Sequence, residues 1–246
     1  MPWRETQDPY SILVSEVMLQ QTQVARVLIK YPLFIHQFPH WERLASASTK
    51  DALSAWVGMG YNRRALYLKR TAETVVKKFN GVLPEDLETL DTLPGIGAAT
   101  AASITAFAFN KPVVFIETNI RRVFLHHFFK DETNIDDKDI LPLVEDTLDR
   151  KNSREWYFAL MDYGAHLAKT IENPNKRSKH YSTQSSFTGS DRQVRGKILR
   201  LLLKTQLSKE QILSALAIDS QKAITILNGL IKEKFVSIEN NIYAIR

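Results

Sequence analysis

The strongest local chemical signal is Leu93-Pro94-Gly95-Ile96-Gly97, followed by a helix expected to begin near Ala98. Glycines at that spacing let the backbone turn sharply and expose consecutive N–H groups at a helix start. Unsatisfied donors and the helix dipole together attract a phosphate to such a terminus. Leu87, Leu90 and Leu93 lead into the turn, so the stretch reads as a helix–hairpin–helix. Eighteen residues after Ala99 stands Glu117, in Phe115-Ile116-Glu117-Thr118-Asn119, where it opens the next expected helix. A carboxylate there either complements the helix dipole or takes part in a chemical step. A second signal is basic: Pro174–Lys197 holds Lys176, Arg177, Lys179, Arg192, Arg195 and Lys197 against Asp191 alone. With few apolar side chains, this stretch suits a solvated linker or a strip of charge along a nucleic-acid backbone. The histidines, including His126-His127, lack metal-ligand spacing, so no metal bound by side chains is expected.

The elements that position these residues are overwhelmingly helical. Apolar periodicity predicts helices over Tyr10–Leu28, Trp41–Ala45, Lys50–Trp56, Arg63–Phe79, Leu87–Leu90, Ala98–Phe107, Asn119–Phe129, Asp137–Leu148 and Arg154–Lys169. Three further helices, Arg192–Leu203, Ser208–Leu216 and Ser220–Glu233, precede a hairpin of Phe235–Ile238 with Ile242–Ile245. That order is a winged-helix arrangement, whose third helix would present Gln221, Lys222 and Asn228 to a major groove. The 246 residues carry 33 Lys+Arg against 27 Asp+Glu, a formal net charge of +6, which permits a polyanionic partner without requiring one. Zero cysteine excludes disulfides and cysteine-ligated zinc or iron–sulfur clusters in this chain. Neither a signal peptide nor a membrane span is legible, so a cytoplasmic, nucleoid-associated monomer is expected.

Glu16-Val17-Met18-Leu19-Gln20-Gln21-Thr22-Gln23-Val24, preceded by Pro2-Trp3-Arg4 and Asp8-Pro9-Tyr10, resembles the N-terminal signature of MutY-type adenine DNA glycosylases. Gly58-Met59-Gly60-Tyr61, the Leu93–Gly97 hairpin, Asn119-Ile120-Arg121-Arg122-Val123 and Met161-Asp162-Tyr163-Gly164-Ala165 follow in matching order, covering residues 2–169. The resemblance implies an all-α, two-lobed helix–hairpin–helix glycosylase fold over residues 1–172. A basic linker (173–190) and a winged-helix-like module (191–246) would follow. The implied partner is double-stranded DNA carrying a mispair or lesion. Breaking an N-glycosidic bond builds positive charge on the sugar, which one carboxylate stabilises while another acid protonates the departing base. By resemblance, Glu16 is the proton donor, Glu117 stabilises the cation and Asn119 assists it. Arg4 and Phe158 border the base pocket between the lobes. Gln20, Gln21, Tyr61 and Asn62 distort the duplex, and Arg63, Arg64, Arg121, Arg122, Lys176, Arg177 and Lys179 meet phosphates. Leu93, Gly95, Gly97, Ala98 and Ala99 form the phosphate-binding hairpin, with a K⁺ or Na⁺ ion at its backbone.

This chain also departs from the family pattern. Glu117 stands where the family has Asp, and one extra methylene displaces the carboxylate by about 1 Å, a shift that can cost ~10²-fold. Ala99 replaces the lysine with which bifunctional relatives form a Schiff base, so hydrolysis without a lyase step is expected. The four-cysteine cluster loop and the C-terminal oxoguanine-reading domain are replaced. Phe158 stands in place of an adenine-reading glutamine, and Asn62 in place of an aromatic wedge. Three readings stay open: excision of adenine opposite 8-oxoguanine or guanine, excision of thymine, uracil or another mispaired base, and DNA binding without catalysis.

Overall fold

The computed structural model describes residues 1–216 and 218–246. In chain order the helices are α1 (Pro9–Leu19), α2 (Val24–Gln37), α3 (Trp41–Ala45), α4 (Thr49–Ala55), α5 (Arg63–Phe79), α6 (Leu87–Asp91), α7 (Ala98–Phe109), α8 (Thr118–Phe128), α9 (Asp137–Thr147), α10 (Ser153–Thr170), α11 (Asp191–Lys204), α12 (Lys209–Leu216) and α13 (Ser220–Lys232). Three short strands, β1 (Leu207–Ser208), β2 (Val236–Glu239) and β3 (Ile242–Ile245), complete the described elements. The chain divides into two compact units, one of Met1–Val17 with Leu83–Thr183, the other of Met18–Val82 with Gln184–Arg246.

The first unit buries a core drawn from α1, α7, α8, α9 and α10, including Ile12, Phe107, Phe115, Phe124, Ile140, Tyr157 and Phe158. Phe107 and Phe158 stack at 4.8 Å with planes 12° apart. The Tyr157 hydroxyl donates to the Val113 carbonyl at 2.7 Å and accepts from the Phe115 N–H at 3.3 Å, fixing the strand-like approach to α8. Where α10 crosses α8, Gly164 lies directly against Asn119. An added Cβ would fall on the Asn119 carbonyl oxygen and 2.7 Å from its Cβ.

After α10 the first part of the stretch that composition marks as a solvated linker, residues 174–178, packs against the unit, whereas residues 179–189 are exposed. Pro174–Arg177 forms a 3-10 turn in which Pro174 and Asn175 are buried. Ser178 pairs with Ile135 in an isolated parallel bridge. The Asn175 side chain donates to the Thr118 carbonyl at 3.0 Å, at the first turn of α8. Arg177 donates to the carbonyls of Leu125 (2.7 Å) and Lys130, taking up acceptors at the far end of the same helix. The segment therefore braces α8 at both ends, a role that local composition hides because the partners lie some 50 residues away.

In the second unit the helix expected over Tyr10–Leu28 is interrupted. Arg64 donates to the carbonyls of Met18 (2.9 Å) and Gln20 (2.6 Å), which a continuous helix would give to N–H groups four residues on. Gln21 adopts φ 51° and α2 begins afresh at Val24. The apolar rhythm runs across this break, so periodicity cannot reveal it. Helix α2 then continues through Pro32 to Gln37, held by the buried Val27, Tyr31 and Phe34. At the C-terminal end, β1, β3 and β2 form an antiparallel sheet in that order, one strand more than the expected hairpin. Asn240 and Asn241, at φ 48° and 62°, make the tight β2–β3 turn.

Replacing Arg177 with alanine should destabilise the protein by about 1–3 kcal/mol while leaving duplex affinity within about twofold. A selective fall in DNA affinity with an unchanged melting temperature would instead return Arg177 to phosphate contact.

Candidate functional site

Glu16 lies in the third turn of α1, on a stretch otherwise buried from Ile12 to Met18. Its carboxyl titrates at about 7 instead of 4.5. Desolvation is the main cause; the neighbouring Glu117 charge adds to the rise, and a hydrogen bond with Ser103 and the Arg4 charge oppose it. The structure thus gathers Glu16, Glu117, Ser103 and Arg4 into one electrostatic neighbourhood of the first unit. Ser103, a polar residue on the alanine-rich α7, also donates to the Thr100 carbonyl at 3.0 Å. A hydroxyl with these two partners can donate to Thr100 while Glu16 holds its proton, and turn to Glu16 once that proton leaves.

Glu117 is the N-cap of α8. One carboxylate oxygen accepts from the backbone N–H of Asn119 at 2.7 Å and of Ile120 at 2.9 Å, and the other accepts from the Asn119 amide at 3.3 Å. The extra methylene is absorbed by this inward curl over its own helix start. Desolvation raises the Glu117 pKa, against the N–H donors and the charges of Arg122 and Arg121. Arg122 donates at 2.7 Å to both the Asn119 side chain and the Gly164 carbonyl, so Glu117, Asn119, Arg122 and Gly164 form one continuous network. Nothing in the sequence marked Gly164 beyond its place in a matching motif; only the crossing of α8 and α10 explains it.

Arg4 and Phe158 also meet. The Arg4 guanidinium stands 4.4 Å over the Phe158 ring and pairs with Asp162 at 2.7 Å. With Phe107 on its other face, Phe158 has no open face on which a base could stack. It supports Arg4 instead. The hairpin is as expected at backbone level: Gly95 has φ 78°, Gly97 caps α7 without a side chain, and Gly97, Ala98 and Ala99 are exposed. Leu93 is buried and anchors the hairpin beneath that surface.

The basic residues expected on phosphates are mostly engaged within the protein. Arg121 makes a two-pronged pair with Asp137, both contacts at 2.6 Å, and Arg63 a similar pair with Glu233 at 2.8 and 2.5 Å. Lys176 pairs with Glu172 and Lys179 with Asp136. In the second unit, buried Arg64 also donates to Thr22 at 2.9 Å and to the carbonyls of Met59 and Gly60 at 3.3 Å. It thereby ties the Gln20–Gln23 break to the Gly58–Asn62 loop, holding Gln20, exposed Gln21, Tyr61 and Asn62 on two neighbouring loops. Tyr61, at φ 45°, follows two glycines at φ 93° and 71°, so three left-handed residues raise its ring from the loop.

Residues 14–146 match the family model described as HhH-GPD superfamily base excision DNA repair protein, and the chain belongs to that superfamily. It is 37% identical to an adenine DNA glycosylase of Mycobacterium tuberculosis, across 82% of this chain and 73% of the relative. Among solved structures it resembles a thermostable thymine-DNA glycosylase, with TM-score 0.62 and 26% identity over 72% of this chain and 83% of that one. It shares its fold with an endonuclease III–DNA complex, with TM-score 0.55 and 18% identity over 63% and 72% of the two chains.

Two measurements probe this network. Gly164→Ala should destabilise the fold by about 1–3 kcal/mol in denaturant, although alanine is the better helix former, because α8 must shift away from α10. Glu16 costs the native state about 3 kcal/mol when ionised, since it titrates near 7 folded and near 4.5 unfolded. That cost is absent below pH 4.5, grows between 4.5 and 7, and is complete above 7. Glu16→Gln should accordingly raise the melting temperature at pH 8 and leave it nearly unchanged at pH 4.

Proposed function

We propose that the protein is a DNA glycosylase of base excision repair that hydrolyses the N-glycosidic bond of adenine mispaired with 8-oxoguanine or guanine. The observation that carries this reading is the pair Glu16 and Glu117, two desolvated carboxyls coupled to each other within one unit. Glu16, about half protonated near neutral pH, gives its proton to the departing base. Glu117, whose carboxylate is met by two N–H donors and the Arg122 charge, faces the positive charge that grows on the sugar. Asn119 keeps the Glu117 carboxylate in place, and water completes the hydrolysis. Ala99, with a methyl group where an attacking amine would stand, supports a reaction without a Schiff base. The exposed N-terminus of α7 binds a DNA phosphate, and the carbonyls of the tight Gly95 turn suit a K⁺ or Na⁺ ion beside it. The likeness to the M. tuberculosis relative supports adenine as the base removed. Thymine in a mispair is the second reading, supported by the thymine-DNA glycosylase likeness.

The test is a panel of labelled duplexes bearing A, T, U or C opposite G or 8-oxoguanine, with abasic sites revealed by hot alkali. Adenine should be excised fastest, borohydride should trap no adduct, and Glu117→Gln should slow single-turnover excision at least 10²-fold. The rate should fall above pH 7 as Glu16 loses its proton, and fall again in acid as Glu117 gains one. Cleavage that survives in the Glu117→Gln protein would remove that residue from its role, and preference for thymine would establish the second reading.

A further inference from the structure

The second unit contains a cleft of about 1110 Å³, slightly larger than most small-ligand sites. One wall is the pair of loops tied by Arg64; the other is the segment from Gln184 through α11, with Thr225, Ile226 and Gly229 of α13. Its charge is one-sided. Glu233 neutralises Arg63 and Arg195, and Asp191 pairs with Lys222 at 3.1 Å. Arg26 and Arg200 are exposed on the rim, and Arg192 donates to the Tyr61 hydroxyl at 3.0 Å and the Ser185 carbonyl at 2.7 Å. Two aromatic rings open onto the same space, Tyr61 at 37% exposure and Phe187 at 57%. The amides of Gln20, Gln21, Gln23 and Gln184 surround them.

Rings for stacking, amides for base edges and guanidiniums for phosphates are the requirements of a single strand. On α13, Lys222 is already engaged by the Gly189 carbonyl (2.8 Å) and Asp191. We propose that the cleft holds an unpaired stretch of DNA, one base stacked on Phe187 beside Tyr61 and its phosphates on Arg26 and Arg200. The site deepens the DNA reading above by assigning the winged-helix module to an unpaired strand.

The test uses the full chain with Glu117→Gln, so that binding is read without any excision and an inactive glycosylase would leave the measurement intact. The probe is a short fluorescein-labelled single-stranded DNA carrying one 5-iododeoxyuridine. Arg26→Ala with Arg200→Ala should weaken binding about tenfold and reduce the salt slope of log K by about 1.4, the loss of two phosphate contacts. Phe187→Ala, at an exposed position that leaves the core intact, should weaken binding about fivefold to tenfold. Cross-linking by long-wavelength light should label Tyr61 or Phe187. Unchanged affinity in both variants, equal losses for a matching duplex, or cross-links confined to residues outside the cleft would each overturn the proposal.

Discussion

A carboxyl group taken out of water is the constraint to which the first unit is built. Glu16 sits on a buried stretch of α1 where ionisation is costly, and the nearby charge of Glu117 makes it costlier. The fold separates them by environment. Glu117 receives two backbone N–H groups from the helix it caps, an amide from Asn119 and the field of Arg122, whereas Glu16 has a hydrogen bond with Ser103 and the field of Arg4. Desolvation raises both carboxyls, but the groups that oppose the rise differ, and the Glu117 charge adds to the rise of Glu16.

Holding α8 still is the condition for that asymmetry. Its start is fixed by Gly164 pressed against Asn119 and by Asn175 on the Thr118 carbonyl; its far end is fixed by Arg177. The residues after α10, where the family places a metal-cluster loop, act here as a polypeptide brace. Arginine serves the same purpose throughout. Arg64, Arg122 and Arg177 each bond several carbonyls or side-chain oxygens from separate segments, which a planar guanidinium with five donors can do and an ammonium cannot match in fixed geometry. These charges are structural ties, and the positive surface left over lies elsewhere.

Much of this was legible in the chain. The helical periods, the Gly95 turn, Glu117 at a helix start and the order of the C-terminal elements follow from local rules about glycine, capping and amphipathic spacing. The motif string around Glu16 pointed to the superfamily and marked Glu16 as the expected proton donor. Less legible were features whose partners are distant. Arg64 read as a surface cation because nothing local shows that the carbonyls of Met18 and Gln20 lie within its reach. Phe158 read as a pocket wall because only packing places Phe107 on one face and Arg4 on the other. Residues 174–178 read as linker because their polar composition conceals buried contacts with α8.

The sequence by itself determined the helical body, the hairpin, the two carboxylates and the absence of an amine at residue 99, because each depends on residue type and short spacing. Tertiary structure alone decided which carboxyls are taken out of water, which arginines are spent inside and where an open charged cleft remains. Those outcomes depend on desolvation and on donor–acceptor distances between segments far apart in the chain, and no local pattern encodes either.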